Sequence, residues 1–353
     1  MSRAQVLPTY QEIAKKAGVS TKTVCNVFRY PELVREKTAS RVLKALRQMG
    51  IEDSSAMKMK LRPARLPQGR SLLLLESAPS GAMGTPVYSK IMVAAEVRAH
   101  ELGWQLSVRH KDPGEDLSKA LRHFRGEGVI LFKESTSHSE LSAVLPGIAA
   151  VRVLSSPDSG HDCDSVDYDR AEVPRLAAQY LADNGCRRVA FIGTFFDGRG
   201  AAFVTQARKL GLEAMESNSQ MLIAHNGVQV VYRPALIAAW EKAAEFQPDG
   251  VFVESDQITN ALHAVLSELG IRPECDLKIV SCNAEELFLG PLVPRPASID
   301  IHSAEIGRKA IDLLIARIEN RTTTPSSLVL RPKLLAGEAL SPSSGNGATA
   351  RKR

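Results

Sequence analysis

The chain has 353 residues, 44% of them hydrophobic and 24% charged. That is enough apolar material for two or three packed domains of about 100–200 residues each, and it excludes a disordered chain. No apolar run nears the ~18–20 residues of a membrane span, and Met1 to Tyr10 lacks the apolar centre of a secretory signal. A cytoplasmic location and no membrane partner are therefore expected. Five cysteines, at 25, 163, 186, 275 and 282, contain no CxxC pair. That pattern fits reduced thiols rather than a disulfide framework or a zinc site.

The net charge of +6 is unevenly spread. Residues 1–70 hold fifteen Lys/Arg against five Asp/Glu, which leaves the remaining 283 residues at −4. A small basic module joined to a mildly acidic body is the electrostatic outline of a nucleic-acid binder with a second function.

The first module, 1–50, reads as three short helices. Thr9 with Glu12 forms a capping box, and Ile13, Ala14 and Ala17 make a small apolar face. Gly18 breaks this helix and Ser20 can cap the next, Thr21 to Phe28, with Val24, Val27 and Phe28 inward. A third helix from about Arg35 to Met49 carries Ala39, Val42, Leu43, Leu46 and Met49 at 3-4 spacing, and Gly50 suits its end. Residues 51–70 are a linker, where Pro63, Pro67 and Gly69 forbid a long helix.

From Ser71 the pattern changes. Strand-like runs at Ser71–Glu76, Gln105–Val108, Gly128–Phe132, Ala150–Leu154, Arg188–Ile192, Gly250–Val253 and Lys278–Ser281 alternate with helical ones. The helical runs include Tyr88–Leu102, Ala171–Asp183, Arg199–Leu210, Pro234–Phe246 and Thr259–Leu269. Buried strands alternating with helices predict parallel sheets with helices on both faces, and about 270 residues predict two such sheets, hence two lobes. The lobe boundaries expected are 71–166 with 298–326, and 167–297 with 327–340. Residues 341–353, SPSSGNGATARKR, are low-complexity and are expected to be disordered.

The run Tyr10-Gln11-Glu12-Ile13-Ala14, Ala17-Gly18-Val19-Ser20 and Thr23-Val24 is helix–turn–helix chemistry: a small residue at the crossing, a glycine turn, a capped second helix. It resembles the LacI/GalR family of bacterial transcription regulators. The resemblance continues through Val34-Arg35-Glu36-Lys37-Thr38 and returns at Ala297-Ser298-Ile299 and Ile306-Gly307-Arg308-Lys309-Ala310. It implies an all-α headpiece followed by a two-lobed α/β core similar to periplasmic binding proteins. It also implies a repressor that binds a pseudo-palindromic operator as a homodimer and senses a small, sugar-like molecule. No coiled coil follows residue 340, so a dimer rather than a tetramer is expected.

The resemblance assigns base reading to Thr21, Lys22 and Asn26. The chemistry agrees: Lys22 can donate to guanine O6/N7, and Asn26 can pair with adenine N6/N7. Ser20, Thr23, Arg29, Arg35 and Thr38 fall at phosphate positions, which set register rather than sequence. Asn26 replaces the family's usual Arg, so the operator should differ from the commonest family sites. The hinge matches weakly. Lys60 stands where the family inserts a Leu into the minor groove, with Met57, Met59 and Leu61 as alternative apolar wedges.

Ligands of open parallel sheets bind beyond the C-terminal ends of the strands. Those ends are Glu76, Lys133-Glu134, Ser155, Thr194, Glu254-Ser255-Asp256 and Asn283. The resemblance places Arg199 as a ligand-binding Arg, Ser255 where many members have Asn, and Asn283 where many have Asp. Asp256, Lys133 and Glu134 join the candidate effector site by position. Fewer acceptors would pair less well with sugar hydroxyls, so a core that senses a different molecule, or none, is the second reading. A transport binding protein would need a signal peptide and no headpiece. No nucleophile elbow, HExxH or Ser/His/Asp arrangement is present, so no enzyme activity and no cofactor are expected. His161-Asp162-Cys163-Asp164 reads as a solvated loop rather than a metal site.

Overall fold

The structure is a computed structural model. It describes residues 10–29, 34–49, 70–76, 85–112, 114–132, 138–145, 147–154, 163–194, 198–225, 228–320 and 324–338. The chain divides into two compact units, Met1–Gly69 and Arg70–Arg353.

The first unit is built on α1 (Tyr10–Ala17), α2 (Thr21–Arg29) and α3 (Glu36–Arg47). Its core is small: Ile13, Ala14 and Ala17 of α1 meet Val24 and Val27 of α2 and Val42, Ala45 and Leu46 of α3. All eight are aliphatic and small to medium in size, so three helices of only 8–12 residues can approach closely. Packing rather than propensity holds helices of this length.

The second unit contains β1 (Ser71–Glu76), α4 (Pro86–Glu101), β2 (Gln105–His110), α5 (Leu117–Leu121), β3 (Gly128–Phe132), α6 (His138–Val144), β4 (Ala149–Val153) and β5 (Asp164–Tyr168). Then come α7 (Glu172–Asp183), β6 (Arg188–Gly193), α8 (Arg199–Lys209), β7 (Glu213–Asn218), β8 (Leu222–His225), β9 (Val228–Val231), α9 (Arg233–Glu245), β10 (Gly250–Val253) and α10 (Asp256–Glu268). The last elements are β11 (Lys278–Cys282), α11 (Glu286–Leu289), β12 (Ala297–Asp300), α12 (Ser303–Glu319), β13 (Ser327–Leu330) and β14 (Lys333–Leu335).

Two six-stranded sheets result, ordered β13-β5-β4-β3-β1-β2 and β14-β12-β11-β10-β6-β7. All neighbours pair in parallel except β14, which runs antiparallel to β12. Parallel strands covered on both faces read as continuous apolar runs, and β1, β3, β6, β10 and β11 do so: Leu72–Leu75, Val129–Phe132, Val189–Ile192, Val251–Val253 and Ile279–Cys282 are buried throughout.

The strand pairing corrects the expected lobe boundaries. β12, expected with the first lobe, lies in the second sheet, where Val280 is in register with Ala297. β13, expected with the second lobe, lies in the first sheet, where Ser327 faces Ser165. The chain therefore crosses back after Ile301 and crosses again between Leu330 and Lys333. Neither strand, ASID nor SLVL, carries a pattern that prefers one sheet, and the pairing partners decide. Asp164, read as loop, opens β5 and is held by Arg317 of α12. The hinge with Met57, Met59, Lys60 and Leu61, the residues Lys133 and Glu134, the Thr9 cap, Gly50 and the tail 341–353 lie outside the described residues.

Candidate functional site

The headpiece presents one face of α2. Val24 and Val27 are buried, Thr21 and Lys22 are exposed, and Asn26 is half-exposed. At about 100° per residue, positions 22 and 26 share the side of the helix opposite the two valines, with position 21 at its edge. The helix start is tied down: Ser20 Oγ accepts the Thr23 amide at 3.0 Å and lies 2.8 Å from Thr23 Oγ1. Both hydroxyls expected at phosphates are thus also engaged with each other. Arg35 is the N-cap residue of α3, is exposed and makes no side-chain cap bond, while Thr38 is half-buried one turn on with its amide on Arg35 O at 2.8 Å. Two helix N-termini therefore stand in one small domain, an arrangement suited to phosphate oxygens. Of Arg29, only its place at the end of α2 is described.

One headpiece residue was not singled out from the sequence. Arg41 of α3 donates Nη2 to Ala17 O at 2.8 Å and to Gly18 O at 3.0 Å, satisfying carbonyls at the end of α1. Gly18 sits at φ +63, and a Cβ there would lie 2.9 Å from Arg41 Nη2. In the sequence Arg41 looks like any basic residue on a polar helix face, so only the fold separates this brace from a DNA contact.

In the core, each sheet reverses its strand order once: between β1 and β3, and between β6 and β10. Such switch points open a crevice at the C-terminal strand ends. At the second one, the Glu254 carboxylate accepts the Thr194 amide at 2.7 Å and the Thr194 hydroxyl at 2.8–2.9 Å. Arg199, first residue of α8, donates Nη1 to Glu254 O at 3.0 Å and Nη2 to Tyr168 Oη at 2.9 Å. Tyr168 ends β5, so Arg199 reaches from the second lobe to the strand ends of the first. Tyr168 was missed because it stands in a strand, DSVDY, that lacks the apolar signal.

At the first switch point Glu76 is fully buried, with His110 Nδ1 3.1 Å from its Oε2. Tyr88 packs edge-on to Phe132 at 4.7 Å. Burial, with Glu76 nearby, pushes the Tyr88 hydroxyl up to about 12.

The three expected residues at the end of the second sheet separate. Ser255 caps α10, its Oγ accepting the Ile258 amide at 3.4 Å. Asn283 is half-buried with its backbone at φ 102, its amide on Ile299 O at 2.8 Å. Asp256 is a correction: it is fully buried and does not open on the crevice. It accepts the Ser281 hydroxyl, the Ser298 hydroxyl at 2.8 Å and the Glu285 amide at 2.6 Å. One step into the helix, its side chain turns inward to β11 and β12. Burial raises it to about 6 despite those bonds. Among the described residues no three His, Cys, Asp or Glu side chains are grouped to hold a metal ion, and no helix is long and apolar enough to cross a membrane.

Comparison with known proteins agrees at both ends of the chain. The model for bacterial regulatory proteins of the lacI family matches residues 9–51, and that for periplasmic binding protein-like domains matches 178–339. The HTH-type transcriptional regulator GntR of Pseudomonas aeruginosa is 26% identical over 346 residues, spanning 94% of this chain and 95% of that protein. The ribose operon repressor of Escherichia coli K12 is 24% identical over 340 residues, spanning 93% and 98%. Among solved structures, the complex of the transcriptional regulator CelR with cellobiose is 24% identical at a TM-score of 0.61, covering 94% of this chain and 99% of that one. The lac repressor dimer bound to operator and the anti-inducer ONPF is 16% identical at a TM-score of 0.59, covering 94% and 98%. These two structures share the fold; the relatives in sequence are transcriptional regulators. A helix–turn–helix headpiece with a polar face of its second helix exposed, joined to a two-lobed core like that of periplasmic binding proteins, has the same order of parts, and the chain belongs to the LacI family of DNA-binding transcriptional regulators.

Proposed function

We propose that this regulator is a repressor that acts in the cytoplasm as a homodimer on a pseudo-palindromic operator, and that a small polar molecule between the core lobes sets its affinity for DNA. The observation that carries the reading is the outward face of α2, where Thr21, Lys22 and Asn26 stand clear of a core built by Val24 and Val27. Thr21, Lys22 and Asn26 read bases; Ser20, Thr23, Arg29, Arg35 and Thr38 hold phosphates; Met57, Met59, Lys60 and Leu61 meet the minor groove. Each headpiece covers only a few base pairs, so two related by a two-fold axis are needed for a useful site. The face of α4 suits that axis: Val93 and Val97, one turn apart, are 55% and 48% exposed.

In the core, Arg199 and Asn283 contact the effector, with Ser255, Lys133 and Glu134 at its margin. The ligand acts by preferring one arrangement of the lobes. An effector other than a simple sugar is favoured by the use already made of the local acceptors. Glu254 is taken by Thr194, the Ser255 hydroxyl by its helix, and Asp256 is buried.

The test is selection of duplexes from a random pool by the full chain, followed by thermal midpoints against sugars, nucleosides and small acids. An enriched inverted repeat and a ligand that raises the midpoint are expected. Enrichment of single half-sites, or of no sequence, would overturn the dimeric-repressor reading.

A further inference from the structure

We propose that Lys90 and the turn 283–285 form a latch between the two lobes, and that Asp256 is the residue that positions this turn. The inference rests on the reading of Asn283 as part of the effector cleft.

Lys90 lies in the second turn of α4, on the first lobe. Its Nζ donates to Ala284 O, on the second lobe, at 2.9 Å. The acceptor belongs to an unusual stretch of backbone. Asn283 and Ala284 both have positive φ, 102 and 52, a conformation that L side chains disfavour. Two consecutive residues of this kind persist only where their surroundings over-determine them.

Asp256 supplies much of that determination. Its Oδ2 accepts the Glu285 amide at 2.6 Å. Its Oδ1 accepts the Ser298 hydroxyl at 2.8 Å, and the same Ser298 oxygen accepts the Ala284 amide at 3.1 Å. One buried carboxylate therefore fixes two successive amides of the turn, one directly and one through a serine. The third amide, of Asn283, is held by Ile299 O of β12 at 2.8 Å. The turn thus joins Asn283, read above as a cleft residue, directly to the Ala284 carbonyl that meets Lys90. A molecule that bonds Asn283 acts on the same few atoms that dock the other lobe.

The charges around the latch give it a signature. Lys90 faces two buried carboxyls, Asp256 and Glu285, and Glu285 Oε1 has no hydrogen-bond partner among the described residues. Burial raises them to about 6 and about 7, and in both the Lys90 charge pulls the other way. The remaining charged groups nearby are paired: Glu286 with Arg295 at 2.8 Å, Asp300 with His302 at 3.3 Å, and Glu305 with Arg308 at 3.0 Å and Lys309 at 3.6 Å. Because both carboxyls are raised, their contribution to stability is complete at low pH and is lost as pH climbs through about 6 to 7. Without Lys90 both would rise further, so the ionised pair would cost more at high pH and nothing extra once protonated.

The experiment compares the full chain with Lys90→Met, Lys90→Gln and Lys90→Arg, without any ligand. Thermal midpoints are taken from pH 5 to pH 8.5, and amide exchange of 283–289 is followed by mass spectrometry. For Lys90→Met, a midpoint deficit that grows steadily from pH 5 to pH 8 is expected, with exchange of 283–289 several-fold faster at pH 8. Lys90→Gln keeps a donor without the charge and should show the same pH-dependent deficit. Lys90→Arg should restore the wild-type pH profile. Exchange of 283–289 unchanged in Lys90→Met would overturn the latch, and a deficit independent of pH would overturn the part in it given to Asp256 and Glu285. Neither readout uses an effector, so either result leaves the cleft reading of Arg199 and Asn283 standing. Conversely, an Asn283→Ala variant that binds the effector normally sinks the cleft reading and with it the link from effector to latch, while the contact between Lys90 and Ala284 is still judged by the exchange of 283–289.

Discussion

The Tyr168 hydroxyl, at the end of β5, accepts a hydrogen bond from Arg199 Nη2 at 2.9 Å, joining the strand ends of one sheet to the first helical residue beyond β6 in the other. Arg199 is held there from both sides, since its Nη1 rests on Glu254 O at 3.0 Å. A guanidinium fixed in a plane between two lobes is pre-organised for a ligand that approaches along the crevice. Tyr168→Phe removes one acceptor and little else. It should cost about 0.5–1.5 kcal/mol in urea unfolding and weaken the effector several-fold. Arg199→Ala should abolish effector binding. Undiminished ligand affinity in Tyr168→Phe would show that the position of Arg199 does not depend on this bond.

Base reading and phosphate holding separate in their response to sequence. Lys22→Ala and Asn26→Ala should each lose roughly 1–3 kcal/mol on the selected operator and almost nothing on random duplexes. Arg35→Ala should weaken binding to both kinds of DNA and lower the slope of log affinity against log salt by about one. Titrations on the two DNAs at three salt concentrations distinguish the classes. Equal losses for Lys22→Ala on both would place it with the phosphate contacts.

The headpiece core consists of only a few small aliphatic side chains, so its local braces weigh heavily. Gly18→Ala meets both a left-handed backbone, worth about 1 kcal/mol, and the Arg41 guanidinium 2.9 Å away. Ser20→Ala removes the cap on α2 at about 1 kcal/mol. Either change should raise amide exchange in α1 and α2 while leaving the core lobes untouched. Exchange that rises equally in 250–282 would contradict the division into two units.

The legible parts of the sequence were those in which one physical signal dominated. Gly250–Val253 is apolar at every position after its glycine, and it is a strand buried throughout. Thr21–Phe28 showed helical spacing after a capping serine, and α2 runs Thr21–Arg29. The strands β5 and β7, DSVDY and EAMESN, were not singled out because their polar residues hide the short apolar stripe each one buries. The crossings were misplaced because ASID and SLVL fit either sheet equally well; pairing partners decide, and those lie more than a hundred residues away for β13. Asp256 was misplaced by a finer cause. It directly follows Ser255 at a strand end, yet the first turn of α10 rotates its carboxylate inward onto Ser281 and Ser298.

Gly307 sets two opposing effects against each other. It sits inside α12, where replacing Gly by Ala gains about 1 kcal/mol of helix propensity. Here α12 crosses α4, and an added Cβ would lie 2.2 Å from Ile91 O and 3.1 Å from Ala95 N. Those atoms are backbone, one helical turn apart, so no rotamer change can relieve the contact. The two helices would have to separate, and overpacking of that kind costs about 1–3 kcal/mol or more. The steric effect should win, and Gly307→Ala should lower core stability by roughly 1–2 kcal/mol net. Because Lys90 adjoins Ile91, the shift should also loosen the contact between Lys90 and Ala284, seen as faster exchange in 283–289. Gly270→Ala is the control: its φ is +72 and nothing lies within 4 Å of the added Cβ, so only the backbone cost of about 1 kcal/mol applies and 283–289 should be unaffected. A neutral or stabilising Gly307→Ala in urea unfolding would mean that α4 and α12 do not pack backbone to backbone at this crossing.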